Sequence, residues 1–153
     1  MFKRLILWMF VIFLGIGFGA GIYEARIVIP QWISMPPHTW PNTGLQFWVY
    51  VTTIPLTLLT IFNAIAAWND NTPKRVWWLG SVGIIFIERI ATFFYFIPEM
   101  IRLMGDGVPE MEIIAGLSQW MMMNHGRHVL SLAGWLLALK AFSMSGKPHS
   151  QGI

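Results

Sequence analysis

The chain has 153 residues, of which 56% are hydrophobic and 11% charged, against roughly 25% charged in ordinary soluble domains. This is a membrane composition of single-domain size, residues 1–153. With no cysteine, disulfides, thiolate catalysis and Cys-ligated metals are excluded, and a net charge of +3 carried by scattered Lys and Arg is no nucleic-acid surface.

Four apolar segments follow in chain order. The first runs from Leu5 to Ile29 and stops before Pro30. Lys3, Arg4 and "LILWMFVIFLGIGFGAG" imitate a signal peptide, but the segment is read as a retained span. Its Gly15-x-x-x-Gly19 and Gly17-x-x-x-Gly21 pairs suit close helix packing and not a nucleotide loop. The connection "PQWISMPPHTWPNTGLQ" is expected to lie on the membrane surface or to cap the bundle. The second span, Leu45 to Trp68, holds no charge but carries a weakly polar stripe, Thr53, Thr57 and Thr60, with Asn63 further in. The third runs from Val76 to Ile97, before Pro98, and the fourth from Glu112 to Ala141. A span needs about 20 largely apolar residues, and in lipid its backbone must satisfy itself as a helix. The expectation is an all-α integral membrane four-helix bundle, multi-pass, in a bacterial inner membrane. No sequence repeat or low-complexity tract is visible.

Lys3, Arg4, Lys74, Arg75, Lys140 and Lys147 fall at one end, and the third connection is acidic through Glu99, Asp106, Glu110 and Glu112. The positive-inside rule places both termini in the cytoplasm.

The fourth span carries Asn124, His125, Arg127 and His128 near its middle. At about 100° per residue, Trp120, Asn124, Arg127 and Ser131 share a face, with His128 at its border and His125 pointing away. On the third span Glu88, Thr92, Tyr95 and Glu99 share a face, with Arg89 beside Glu88. Glu88 and Arg127 both fall near mid-depth, where each charge costs at least about 2.5 kcal/mol. Arg127 is therefore expected to pair with Glu88 inside the bundle. Glu24, Arg26, Glu99, Arg102 and His38 lie nearer the outer side, so a pocket is expected to open there. His125 and His128 have a spacing that can hold a metal, but histidines without a nearby Cys or an EXXH pair are more often hydrogen-bonded structure, so no metal is assigned; nor is haem, because ten methionines in such a chain are mostly packing.

The order of motifs resembles the anthrone-oxygenase-like family of small four-helix membrane proteins, many bacterial members of which have unknown function. The matching stretches are "GAGIYEARIVIPQW", "FWVYVTTIPLTLL", "KRVWWLG", "ATFFYFIPEMIRL" and "WMMMNHGRHVLSLAGWLLALKAF". The positions that match are Pro30, Trp32, Thr92, Tyr95, Pro98, Trp120, Asn124 and Arg127. The resemblance implies a four-helix membrane bundle and, in the fungal enzymes, oxidation of a polycyclic anthrone by O₂ without metal or flavin.

Two functions are expected from these residues. The first is an oxygenase or oxidoreductase acting on a hydrophobic aromatic or phenolic molecule. His128 or Glu88 is the candidate base, and Arg127, helped by Asn124, holds the anion. Tyr95 and Trp120 stack on the ring, and Thr92 and Arg89 complete the binding set. An electron-rich carbanion reacts with O₂ directly, so no cofactor is demanded. The alternative is a non-catalytic accessory subunit that binds lipid, quinone or pigment, or packs as a homo-oligomer or within a larger membrane complex. A transporter fits four spans without repeat or broken helix poorly. A cavity of roughly 300 Å³ or more around these residues would favour the ligand readings.

Overall fold

A computed structural model describes residues 2–36, 39–40, 44–105 and 107–145. His38, Asp106 and Lys147 lie outside the described residues. Four helices account for most of the chain: α1 (Phe2–Ile33), α2 (Trp48–Trp68, preceded by the single turn Gly44–Phe47), α3 (Lys74–Leu103) and α4 (Glu110–Met144). No strand occurs among the described residues.

Three of the four, α1, α2 and α3, are both long and apolar enough to cross a membrane, at 32, 21 and 30 residues. α4 has the length, 35 residues, but not the hydropathy. Ser118, Gln119, Asn124, His125, Arg127 and His128 dilute its apolar character. By composition, then, three spans stand where the sequence suggested four.

The helices also run past Pro30 and Pro98, which were expected to end them, and past Pro55 within α2. A proline lacks an N–H, and its ring strikes the carbonyl four residues back. In each case a π-helical turn precedes an Ile-Pro pair: Glu24–Val28 before Pro30, Trp48–Thr53 before Pro55, and Thr92–Phe96 before Pro98. The isoleucine N–H donates five residues back, Ile29 to Glu24, Ile54 to Val49 and Ile97 to Thr92. The widened turn lets the helix continue through the proline. This local device recurs three times, although no longer repeat is present. All three turns lie in the half of the bundle nearer the 34–47 and 104–109 connections, here the loop end.

The helices form a ring in which α4 packs on α3 and α1, and α2 on α1 and α3. Toward the basic end, Leu7, Phe10, Leu14, Trp78, Val82, Ile85 and Ala138 form one buried cluster. Asn63 is fully buried there but satisfied, accepting from the Trp78 indole at 2.9 Å and donating to the Leu59 carbonyl at 2.7 Å. α3 and α4 come close at Gly134, whose carbonyl accepts from the Ser81 hydroxyl at 2.7 Å. A Cβ there would lie 2.5 Å from Ile85 Cδ1. On α1, Gly15 takes Trp135 against it and Gly21 takes His128, whereas Gly19 faces open space. Close packing thus holds for part of the glycine pattern, with α4 as the neighbour.

A second cluster closes the loop end: Ile29, Phe96, Leu103, Leu117 and Trp120, with Trp32 and Trp40 against it. Trp40 stacks on Trp32 and donates to its carbonyl at 2.9 Å. The described part of the first connection therefore caps the bundle. At the basic end, Asp70 accepts from the Thr72 backbone and hydroxyl and pairs with Lys74 at 3.3 Å. Lys3 donates to the Asn69 carbonyl, which ties the start of α1 to this connection.

Candidate ligand chamber

Glu88 sits on the face of α3 turned toward α4 and is buried to 2% exposure. A bare carboxylate there would be costly, and the neighbouring residue answers it. Arg89 folds back to donate from Nε at 2.6 Å and from Nη2 at 2.8 Å, one bond to each Glu88 oxygen. Thr92, one turn on, donates to the Glu88 carbonyl at 3.0 Å and to Oε1 at 3.2 Å. Arg127 reaches the same oxygen only at 3.8 Å. The expected Glu88–Arg127 pairing exists, but as the looser of two. Side chains of successive residues diverge by about 100° on a helix, so the spacing gave no reason to rank Arg89 first.

Arg127 is held instead by rings. Its guanidinium carbon lies 4.7 Å from the Phe96 centroid and 5.9 Å from that of Trp120, within cation–π range. It makes no hydrogen bond among the described residues, and Glu24 on α1 acts on it as a second, more distant carboxylate. Most of its five donors are therefore uncommitted.

These donors border a cavity of about 40 Å³. α3 contributes Glu88, Arg89 and Thr92, and α4 contributes Arg127, His128 and Ser131. Thr52 and Thr53 of α2 face them, and Gly21 of α1 leaves room for the His128 ring. A cavity needs about 10–15 Å³ to hold a water, so a few waters or one oxygen-bearing group fit. The volume falls well short of the roughly 300–1,000 Å³ of a site that encloses a whole small molecule.

Of the residues expected at the site, Glu88, Arg89, Thr92, Arg127 and His128 come together on the cavity wall, whereas Asn124, Trp120 and Tyr95 do not. Trp120 belongs to the loop-end cluster and donates its indole N–H to the Phe96 carbonyl at 3.0 Å. Tyr95 packs edge-on against Phe96. The π turn explains the exchange. One extra residue in a turn sets back every later side chain by about 100°, so Phe96 faces inward where regular spacing puts Tyr95. Asn124 is fully buried, and neither amide atom has a partner among the described residues; nor has His128 Nε2.

Glu99 and Arg102 form a separate, exposed network with Glu112 at the loop end, with bonds of 2.6 to 2.9 Å. Toward that end the Phe96 and Trp120 rings of the loop-end cluster lie against Arg127 on the cavity wall. His125 is exposed, and no three potential metal-ligating side chains gather among the described residues. Thr52 and Phe96 escaped the sequence reading, and Gly21 was read for packing alone. The Ile-Pro pairs were the signal that would have shifted the faces.

No family model, no curated protein and no solved structure matches the chain.

Proposed function

We propose that the chain is a multi-pass integral membrane protein of a bacterial inner membrane, with both termini cytoplasmic, that binds a hydrophobic molecule by a carbonyl or acidic oxygen at Arg127. The observation that carries this is the pairing pattern. Arg89 already neutralises Glu88, so the half-buried Arg127 faces the cavity with donors unspent. A planar guanidinium with a fixed charge suits an oxyanion or polarised carbonyl. The cavity takes the oxygen-bearing end alone, and the apolar body of the molecule lies outside it.

The resemblance to anthrone-oxygenase-like proteins adds a reaction to this site. His128 removes a proton from a phenolic or anthrone-like substrate, Arg127 stabilises the resulting anion, and the carbanion carbon adds O₂ to give a hydroperoxide, which loses water to leave the quinone. His128 is the better base of the two candidates, because Glu88 is engaged by Arg89 and Thr92. The accessory-subunit reading draws on the small cavity and on the ion-pair and aromatic packing, which hold the helices together without any ligand.

Purified protein is tested with quinols and anthrone-like phenols for binding and O₂ uptake. Losing a hydrogen bond to a charged group costs about 1.5–3 kcal/mol, so Arg127→Gln should weaken binding by roughly tenfold to a hundredfold. His128→Gln should bind normally and lose turnover. If no such compound binds, and both folded variants retain full function in the cell, the accessory-subunit reading replaces this one.

A further inference from the structure

The chamber lies between the two buried clusters, with Leu14, Leu56 and Ile85 of one in its wall and Phe96 and Trp120 of the other against Arg127. At the basic end lies the cluster around Phe10, Leu14 and Ile85, and at the loop end lies the Ile29–Phe96–Trp120 cluster. α4 packs along α3 and α1, and the body of α2, Ile54–Trp68, packs along both α1 and Lys74–Ala91 of α3. The π turn Trp48–Thr53 is different. It rests on α1 but makes no comparable packing with α3. Toward the basic end α2 and α3 thus pack directly, whereas at the level of the cavity the space between them is the cavity itself, with Thr53 on one side and Arg89 and Thr92 on the other. Tyr50, three residues before Thr53, is 69% exposed, and Phe93, next to Thr92, is 44% exposed. Both helices are long and apolar enough to lie in lipid.

We propose that this gap is a side entrance from the bilayer, through which a lipid-soluble molecule presents its oxygen-bearing end to Arg127. The inference rests on the Arg127 binding reading and adds the route and the solubility class. The ligand is one that partitions into the bilayer, a quinone- or phenol-headed lipophile, and not a water-soluble acid. The size mismatch follows from the same geometry. A chamber of about 40 Å³ receives the head, while the apolar remainder stays between Tyr50 and Phe93 in contact with acyl chains.

The chain has no cysteine of its own, so single thiols report access directly. Thr53→Cys, and Thr52→Cys one position deeper, are reconstituted in lipid vesicles. Each is treated with a long-chain N-alkyl maleimide that resides in the bilayer and with a charged, impermeant methanethiosulfonate. Leu58→Cys, at a position 49% exposed on the outer face of α2, shows that the lipid-phase reagent works. The side entrance requires Thr53→Cys to react with the alkyl maleimide as Leu58→Cys does, and to resist the charged reagent. Reaction with the charged reagent makes the opening aqueous and overturns the proposal. So does a Thr53→Cys that stays unreactive while Leu58→Cys is labelled. Labelling from lipid in a protein that binds no quinol or phenol would leave the entrance standing and remove only the Arg127 binding reading.

Discussion

Asp70 and Glu88 are buried carboxylates in different company. Glu88 lies between two arginines. Asp70, in the connection between α2 and α3, answers to Thr72 and Lys74. Burial works to raise the Asp70 pKa, but the two Thr72 donors and the Lys74 ammonium outweigh it and hold the carboxyl below the usual range. A carboxyl whose folded pKa is depressed stabilises the fold above its unfolded value, about pH 3.9. That contribution is lost as the pH falls through the lower, folded value. Thermal unfolding in detergent should show the midpoint of the native chain dropping on acidification below about pH 4 more steeply than that of Asp70→Asn. Equal slopes would mean that Asp70 makes no such contribution. Which residues meet at mid-depth was partly legible in the sequence: the insertion cost of a charge was enough to bring Glu88, Arg89 and Arg127 together. Their order of pairing was not, because it depends on how far one arginine folds back along its own helix. Nor was the choice of Phe96 over Tyr95, which turns on one extra backbone residue.

At the scale of elements, the four helices were legible because runs of apolar residues have few other solutions in lipid. Their ends were not. Pro30 and Pro98 read as stops under the ordinary rule, and only the backbone shows that a π turn carries the helix past each of them. Of the threonine stripe of α2, Thr53 reaches the cavity, joined by Thr52 from outside the stripe, whereas Thr57 and Thr60 do not line it. π turns occur preferentially at functional sites, and here the Trp48–Thr53 and Thr92–Phe96 turns each supply residues to one cavity wall. In α4 the polar residues that lower its hydropathy below that of the other three include those that build the chamber.

At the scale of the whole molecule, charge is sorted along the bundle axis. Arg4, Lys74, Arg75 and Lys140 each lie over an aromatic ring, of Phe142, Trp78, Trp68 and Trp77. Cations and indoles at one level are what a headgroup boundary selects, and the proposed topology puts this end in the cytoplasm. A cysteine at Asn71 should react with an impermeant reagent only from the cytoplasmic side, and one at Asp106 only from outside; the opposite result would invert the topology. The three π turns have a mechanical consequence. Helices bend most readily at π turns and prolines, and α1, α2 and α3 each carry both at one level, whereas α4 passes that level without either. Compliance is thus confined to three walls, and Arg127 and His128 stand on the stiff one. Deuterium should enter the amides of Trp48–Thr53 and Thr92–Phe96 sooner than those of α4 between Asn124 and Ser131, with uniform protection as the contrary result. A molecule arriving at Arg127 would then meet a fixed cation and a wall that yields around it.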